Sequence, residues 1–345
     1  MKVLHLPTSV GGNAWGLAQG EKHLGLDSKV LNTHENWLKY DADFKLGLEE
    51  KNFYNQVKTL ISTYKSIKNT YEVFHFNYGR SLLDFPKLGL SLLELPYYPQ
   101  EAKKIVSFNG SDIRQVHPLE YWPELGRYEP SAYEKLAMYI KKQRLKKIEK
   151  NVDHIFSVNP DLLNFLPKTA SFLPYSISNW DILENIPMKN KKLKIEHSPT
   201  NRIFKGSDFI IDALKNLQLR YDIDMEIVEN IPHKQALEIY QSADIIIDQV
   251  LIGWYGAFAV EAMKMGKAVA VYIREEDLKY IPPQMKDDLD EAIVKITPLN
   301  IEEELATLIE NKGLLQNKIS AGLDYVNKWH RPSYVASITK EVYES

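Results

Sequence analysis

Residues 243–272 constrain the fold of this chain more than any other stretch. Two short apolar runs, at residues 245–247 and 268–271, have the length and composition of buried parallel strands. The segment between them contains two glycines and then a helical pattern over residues 258–265. The stretch therefore predicts a strand, a loop, a helix and a second strand, which is the repeating unit of a parallel sheet covered by helices.

The same alternation of strand-like and helix-like segments runs along the whole chain. One series starts with a strand at residues 1–6 and contains a long amphipathic helix at residues 52–68. A second series starts at residues 193–197 and continues through Ile296. Residues 174–192, between the two series, lack a strong periodicity and contain two prolines and several lysines, which is typical of a linker. We therefore predict an α/β fold with two domains, each a parallel sheet covered by helices.

Length and composition support two folded domains and exclude several other classes of protein. The chain has 345 residues, which is too long for one core of the usual size. Its hydrophobic content of 44% and charged content of 26% are those of a folded protein, and its net charge of −3 gives no general attraction to nucleic acid. Without cysteine it has no disulfide or thiolate metal site, and it lacks the ~20 consecutive apolar residues of a membrane span. We expect a soluble, cytoplasmic protein without a nucleic-acid partner.

The loop and helix within residues 243–272 have the features of an anion-binding site. The predicted helix at residues 258–265 begins where a loop leaves the carboxyl end of a strand, so its unpaired N–H groups and positive dipole end are available to an anion. Gly256, just before the helix, allows close approach of the backbone. Glu261 does not suit a phosphate, but it suits hydrogen bonds from hydroxyls such as those of a ribose. The alternative is an ordinary strand–loop–helix–strand unit of another α/β protein.

Two cations precede another predicted helix, at residues 207–217. Arg202 and Lys205 lie in the loop that follows the strand predicted at residues 193–197. A guanidinium and an ammonium beside a helix N-terminus can neutralise a departing diphosphate, which is worth on the order of 3 kcal/mol per well-placed donor. The alternative is a solvated basic loop.

Two loops of the first series also have residues suited to binding. Gly11 and Gly12 follow the first strand and lead into a helix, so their N–H groups could reach a diphosphate, although tight turns use Gly-Gly freely. Asn109 and Asp112 come directly after another buried strand, where polar side chains are poor core material. We expect them to line a cleft. His75 lies inside a strand, where a histidine is more often a core residue.

The sequence around Glu261 resembles a known donor-site signature. Glu261-Ala262-Met263 and Gly266-Lys267, together with Arg-x-x-Lys-Gly at residues 202–206, resemble motifs of retaining glycosyltransferases of family 4, the glycosyl transferases group 1. That family has the GT-B fold of two Rossmann-like domains. Its pattern has two glutamates eight positions apart, and the first would fall at Gly253, so half of the pair is absent here.

The resemblance implies a domain arrangement. An acceptor domain at residues 1–175 and a nucleotide-sugar donor domain at residues 176–325 would face each other across a cleft. Residues 326–345 read as a helix broken near Pro332, and in the family the last helix crosses back to the N-terminal domain.

The resemblance also implies roles for individual residues. Gly12 and Gly256 would approach the diphosphate with backbone N–H groups, and Glu261 would hold the ribose. Asn109 stands where many members have a histidine, which leaves no obvious general base. The implied catalytic residues are Arg202, Lys205, Asp112 and Asn109. The implied donor-binding residues are Gly11, Gly12, Asn13, Thr200, Val228, Ile231, Gln249, Trp254, Tyr255, Gly256, Ala257 and Glu261.

The activity implied is retaining transfer of a sugar from a donor such as a UDP- or GDP-sugar to an acceptor hydroxyl. The acceptor would be a glycan, a lipid-linked sugar or a protein, and the product a bacterial surface glycan. No metal or other cofactor is expected, because the cations and helix dipoles neutralise the leaving group and no Asp-x-Asp motif stands in a suitable loop. One alternative, motivated by Gly253, is a non-catalytic GT-B protein that binds nucleotide sugar or glycan. Another is a nucleotide-sugar epimerase, against which the Glu-Ala-Met segment speaks.

A basic helix is predicted at residues 133–150. Its basic residues are Lys141, Lys142, Arg144, Lys146, Lys147 and Lys150. A basic amphipathic helix can dock on anionic lipid headgroups, which implies peripheral contact with the cytoplasmic face of the inner membrane. The alternative is a solvated lysine face on a helix that packs against the sheet.

Overall fold

The structure, a computed structural model, describes residues 1–35, 39–85, 89–187 and 192–345. Residues 188–191 of the predicted linker lie outside the described residues. The chain forms two compact units: the first consists of Met1–Gln115, Pro130–Ser178 and Pro332–Ser345, and the second of Val116–Glu129 and Asn179–Arg331. Each unit contains its own parallel sheet, so the predicted α/β fold with two parallel sheets is confirmed.

The first unit is built on a sheet of seven described strands. They are β1 (Lys2–Leu6), β2 (Asp27–Asn32), β3 (Phe44–Lys45), β4 (Val73–Asn77), β5 (Lys103–Phe108), β6 (His154–Ser157) and β7 (Ser171–Phe172). Its helices are α1 (Asn13–His23), α2 (Phe53–Ile67), α3 (Ala132–Glu149) and the last helix of the chain, α11 (Pro332–Glu344). The strands lie in the order β3-β2-β1-β4-β5-β6-β7, and all pairs are parallel.

The second unit is built on a sheet of five described strands. They are β8 (Leu193–His197), β9 (Ile223–Ile227), β10 (Ile245–Ile247), β11 (Ala268–Val271) and β12 (Ile293–Lys295). Its helices are α4 (Arg202–Lys205), α5 (Ser207–Gln218), α6 (His233–Tyr240), α7 (Ala257–Lys264), α8 (Pro283–Ala292), α9 (Ile301–Glu310) and α10 (Lys312–Trp329). The strands lie in the order β12-β11-β10-β8-β9, again all parallel.

The local sequence explains these elements. β10 consists of three isoleucines, and β-branched side chains favour a strand that is buried on both faces. Asn52 caps α2 by accepting a hydrogen bond from the Asn55 N–H. Ser131 and Glu134 form a capping box at the start of α3.

The core of the second unit fixes the strand ends that carry the candidate site. Ile195 of β8 and Ile247 of β10 pack with Leu214 of α5 and Leu305 of α9, and all four are fully buried. Full burial of such a side chain contributes about 1.5–3 kcal/mol. The carboxyl ends of β8 and β10 are therefore held firmly side by side.

Residues 116–129 were expected in the N-terminal domain, but they pack in the second unit. Trp122 is buried in that core and its ring lies 4.7 Å from the ring of Tyr272. The Arg274 guanidinium lies 4.5 Å from the centre of the Tyr121 ring. These aromatic contacts attach a segment that precedes α3 to a core formed by residues much later in the chain.

The second unit ends at Arg331 rather than at the expected boundary near residue 326. α10 continues to Trp329 within the second unit, and α11 belongs to the first unit, where it packs on α1. Gly20 of α1 permits this close packing, because a Cβ there would collide with the carbonyl oxygen of Pro332. None of the helices in the described part of the chain combines the length and the hydropathy needed to cross a bilayer.

Candidate functional site

The centre of the candidate site is an ion pair between Lys205 and Asp248. Lys205 ends α4, and Asp248 directly follows β10. The Lys205 Nζ lies 2.5 Å from the Asp248 Oδ1, and the Asp248 side chain is only 1% exposed. The other carboxylate oxygen of Asp248 accepts the N–H of Gly256 at 2.6 Å, immediately before α7. A cation and a helix N-terminus thus converge on one anionic group at the carboxyl edge of the sheet.

This geometry corrects the role expected for Gly256. The sequence predicted that its N–H would approach a diphosphate, but that N–H is hydrogen-bonded to Asp248. The groups suited to a phosphate are instead the N–H groups of Ala257 and Phe258, the first two residues of α7, because these have no acceptor within the helix. Lys205 has three N–H donors, so its bond to Asp248 leaves donors for a second anion.

Arg202 and Lys205 lie on a helical turn rather than in the loop that the sequence predicted. The Asn201 side chain caps α4 by accepting the Phe204 N–H, and Gly206 ends it with φ of +72°. The Arg202 side chain is 48% exposed and makes a bidentate pair with Glu229, with N···O distances of 2.8 and 2.6 Å. Its interactions are therefore with the loop after β9, whereas Lys205 reaches the loop after β10.

Glu261 has a protein partner that the sequence analysis missed. Its Oε1 lies 2.8 Å from Nε2 of His233, the first residue of α6, and Glu261 is only 2% exposed. Burial alone would lower the pKa of His233, but the adjacent Glu261 carboxylate outweighs burial and raises it. The pair fixes the orientation of Glu261 and leaves its second oxygen as the one suited to a ligand hydroxyl.

Gly253 occupies the position where the resembling family has its first glutamate, and the structure gives a physical reason. Its φ is +93°, a conformation that favours glycine, and a Cβ would lie 2.8 Å from the Arg274 Cβ. A glutamate would therefore require this loop to change its backbone conformation.

Gln249, Trp254 and Tyr255 hold the shape of the same loop. The Gln249 side chain accepts the Ile252 N–H at 2.6 Å and donates to the carbonyl oxygens of Trp254 and Tyr272. Trp254 is 2% exposed, and Tyr255 is fully buried with its hydroxyl 2.6 Å from that of Tyr325. All three side chains are buried in the protein. Their contact with a donor stays a prediction.

The remaining predicted donor residues of the second unit lie near the ends of β8 and β9. Val228 is buried, and its N–H donates to the carbonyl oxygen of His197. Ile231 is half-buried, whereas Thr200 is exposed. The structure thus brings these residues to the same sheet edge as Lys205, because β8 lies between β9 and β10.

In the first unit, Gly11 and Gly12 form the turn from β1 into α1. Their φ values are +63° and +69°, and a Cβ at Gly12 would lie 2.6 Å from the Ser178 Oγ. Asn13 is buried, and its side-chain oxygen accepts the Ser176 N–H at 2.8 Å. These contacts give Asn13 a structural role in joining α1 to the segment after β7.

Asp112 shapes the turn after β5. Its carboxylate accepts the N–H groups of Asn109 and Gly110, at 3.0 and 2.7 Å. Burial raises the pKa of Asp112. The Oδ1 of Asn109 is buried without a hydrogen-bond partner among the described residues. Asp112 is therefore a turn residue as the structure stands, and Asn109 has the free acceptor.

One group of three side chains in the described residues has the composition of a metal site: His5, Glu21 and His75. All three are fully buried and hydrogen-bonded: His5 Nε2 lies 2.8 Å from the Glu21 carboxylate, and both ring nitrogens of His75 have hydroxyl partners. Tyr343 of α11 joins the two, since its hydroxyl contacts both His75 and Glu21. The group fastens α11 to the sheet, and His75 is a core histidine.

The basic residues of α3 have two different environments. Lys141, Arg144 and Lys147 donate to the carbonyl oxygens of Arg114, Gly79 and Ser91. The exposed basic residues of this helix and its C-cap are Lys135, Lys142, Lys146 and Lys150. Large apolar side chains on this helix are exposed as well: Tyr133, Leu136, Tyr139 and Ile140. The exposed surface of α3 therefore contains aromatic and aliphatic side chains as well as the predicted lysines.

With two parallel sheets covered by helices, the chain has the architecture of the GT-B fold. Comparison with solved structures supports this fold. UDP-GlcNAc 2-epimerase from Neisseria meningitidis, bound to UDP-GlcNAc, is similar with a TM-score of 0.55 and 14% identity over 100% of both chains. Sucrose-phosphate synthase from Thermosynechococcus elongatus has a TM-score of 0.55 and 12% identity over 99% of this chain and 98% of that chain.

A third similar structure is a mutant of TarM from S. aureus, in complex with Fondaparinux, alpha-GlcNAc-glycerol and UDP. Its TM-score is 0.56 with 11% identity, over 83% of this chain and 58% of that chain. No family model and no curated protein sequence matches the chain. At these identities the similarities show the fold alone.

Proposed function

We propose that this chain is a retaining GT-B glycosyltransferase of the family 4 type. It transfers a sugar from a nucleotide-diphosphate donor, such as a UDP- or GDP-sugar, to a hydroxyl of a glycan, lipid-linked or protein acceptor in bacterial surface glycan synthesis. The observation that carries the proposal is the position of the Lys205 ammonium beside the N-terminus of α7. A fixed cation and aligned N–H groups stabilise the negative charge that develops on a leaving diphosphate.

The residues of the second unit then take the following roles. Lys205 donates to the diphosphate, and Asp248 holds the Lys205 ammonium in place. Arg202 adds a second cation at the same edge of the sheet. Glu261, oriented by His233, accepts hydrogen bonds from the ribose. The departing phosphate oxygen takes the proton of the acceptor hydroxyl, so the reaction needs no separate general base.

A second candidate is epimerisation of a nucleotide sugar, because one of the similar structures is an epimerase with UDP-GlcNAc bound. The two reactions differ in their products. A transferase releases nucleoside diphosphate in proportion to the acceptor glycosylated, whereas an epimerase changes the sugar without consuming an acceptor. A non-catalytic binding protein gives neither product. Chromatography of donor and acceptor after incubation separates the three.

We expect nucleoside diphosphate to bind to the second unit and Glu261→Gln to weaken binding by roughly 1–3 kcal/mol, through loss of charged hydrogen bonds to hydroxyls. Titration calorimetry with UDP and GDP measures the difference. Glu238→Gln, an exposed change on α6, is the matched control and should bind like the wild type. Equal, weak binding of every nucleoside diphosphate by all three proteins would contradict a donor site.

Activity should survive excess chelator to within a few-fold, because Lys205, Arg202 and the α7 N-terminus supply the positive charge. The measurement is the rate of nucleoside diphosphate release with and without EDTA. Complete loss that manganese or magnesium restores would show that a metal ion carries the leaving-group charge.

The proposal includes peripheral contact of α3 with an anionic membrane surface on the cytoplasmic side. Its exposed lysines and its exposed aromatic and aliphatic groups suit lipid headgroups and the acyl boundary. Replacing Lys142, Lys146 and Lys150 with serine should weaken binding to anionic vesicles about a hundred-fold, at ~1 kcal/mol per lysine. Sedimentation with vesicles tests this. Lys141→Ser is the control, because the Lys141 ammonium donates to the carbonyl oxygen of Arg114 and points into the protein rather than toward lipid. Equal binding to neutral and anionic vesicles would contradict the contact.

A further inference from the structure

A cavity of about 340 Å³ lies in the first unit, at the carboxyl ends of β1 and β2. Thr8 and Ser9 follow β1, and Asn32 is the last residue of β2, the strand next to it. The far wall comes from the segment that includes Lys45 and Glu49. Ligands of parallel sheets bind at this edge, and the volume is at the low end of that of small-molecule sites.

The two ammonium groups of the cavity are hydrogen-bonded within its wall. The Lys45 Nζ lies 2.8 Å from the Glu35 Oε1. The Lys51 Nζ donates to the carbonyl oxygens of Leu46 and Gly47. The lining contains three carboxylates, of Glu35, Glu49 and Glu50, against these two ammonium groups, so its net charge is negative and disfavours an anionic ligand.

The carboxylates of Glu49 and Glu50 are hydrogen-bond acceptors in the wall of the cavity. The Glu49 carboxylate accepts only a long bond, 3.3 Å, from the Glu35 N–H, and Glu50 has no ion pair among the described residues. Ionised carboxylates can only accept hydrogen bonds. They therefore suit a ligand that brings several hydroxyl donors.

Asn32 provides a second, independent indication of a ligand. It is 8% exposed, lines the cavity, and its Oδ1 has no hydrogen-bond partner among the described residues. A buried acceptor without a partner is unfavourable, which makes a donor from a bound molecule favourable at this point. Tyr40, also in the wall, provides an aromatic face that can cover the apolar side of a ring.

We propose that this cavity binds one uncharged sugar ring, whose hydroxyls donate to the Asn32 Oδ1 and the Glu49 carboxylate while the ring lies beside Tyr40. The assignment of that sugar as the terminal unit of the acceptor rests on the proposed function. Binding itself does not, since the cavity is formed within the first unit alone. Among sugars, the charge distribution selects neutral rings over phosphorylated ones.

The test is saturation-transfer NMR and titration with the full chain. The probes are methyl glycosides of neutral hexoses and N-acetylhexosamines, with glucose 6-phosphate as the anionic counterpart. We expect a neutral glycoside to bind more tightly than glucose 6-phosphate. Asn32→Leu, which keeps the volume and removes the acceptor, should weaken it about ten-fold, and Glu49→Gln several-fold. Glu101→Gln, an exposed change elsewhere in the first unit, should have no effect.

Failure of every neutral glycoside to bind, tighter binding of glucose 6-phosphate than of the neutral glycosides, or unchanged binding by both cavity variants would overturn the proposal. If Asn32→Leu does not fold, Glu49→Gln at the surface gives the answer. Nucleoside diphosphate titrations on the same samples keep the two proposals separate. Intact nucleotide binding without sugar binding refutes only the cavity, and sugar binding without nucleotide binding refutes only the donor function.

Discussion

Lys205→Met should lower turnover by at least about a hundred-fold, because the variant loses the cation nearest the leaving diphosphate and one well-placed donor contributes on the order of 3 kcal/mol. The measurement is nucleoside diphosphate release under saturating donor. Lys215→Met on α5, an exposed lysine, is the control and should keep normal turnover. Normal turnover in Lys205→Met would end the proposed role of this lysine.

The same substitution should also destabilise the fold. Asp248 is 1% exposed, and removal of Lys205 leaves its charge without a cation. Breaking a buried pair in this way costs about 3–5 kcal/mol, and the partial exposure of Lys205 puts the cost at the low end. Urea denaturation measures it.

Lys205→Met combined with Asp248→Asn separates the two effects. The double variant has no unpaired buried charge, so its free energy of unfolding should return toward that of the wild type while turnover stays low. Recovery of turnover together with stability would mean that Lys205 acts only on the fold.

Arg202→Ala should also lower turnover, and its effect should be less than additive with that of Lys205→Met because both cations act on one leaving group.

The sequence predicted the elements well where local pattern decides them. The strands expected at residues 193–197, 245–247 and 268–271 have those bounds in the structure. For the last two, a continuous apolar run between polar loops defines where the strand begins and ends. β9, at Ile223–Ile227, contains no such run. Alternating polar residues there give no sharp end, so the boundary depends on pairing with β8.

The partners of the charged residues could not be predicted, because they are set by tertiary contacts. Asp248 follows a buried strand just as Asn109 does, so its polarity was a usable signal, but its pairing with Lys205 spans 43 positions. His233 begins a helix after Pro232, and nothing near it in the sequence points to Glu261. Residues 116–129 belong to the second unit because Trp122 packs in its core, and the residues around Trp122 there are far from it in sequence.

The end of β8 gives the other large expected effect, on the pH dependence of stability. Glu196 and His197 are both fully buried and, as neighbours in a strand, point to opposite faces of the sheet. Burial lowers the pKa of His197 to about 4, and burial raises the pKa of Glu196 to about 7 in spite of Lys194, which lies 3.0 Å away. His197 matters to the site because its Nδ1 lies 2.8 Å from the carbonyl oxygen of Ile247, one residue before Asp248.

The two groups change stability in opposite directions. Below pH 6.5 the unfolded chain binds a proton at His197 that the folded protein does not bind until about pH 4, so stability falls as pH falls through this range. Above pH 4.5 the unfolded chain loses the Glu196 proton that the folded protein keeps to about pH 7, so stability falls as pH rises. Each shift corresponds to about 3 kcal/mol across its range.

Between pH 4.5 and 6.5 the two slopes therefore cancel, and single substitutions should expose them. Glu196→Gln leaves His197, so its free energy of unfolding should fall relative to the wild type as pH is lowered from 6.5 to 4.5, by about 2–3 kcal/mol. His197→Asn leaves Glu196, so its free energy of unfolding should rise over the same change, by a similar amount. Urea denaturation at three pH values measures these slopes, and the double variant should follow the wild type. Parallel profiles for the two single variants would show that neither group is held in its buried, uncharged form.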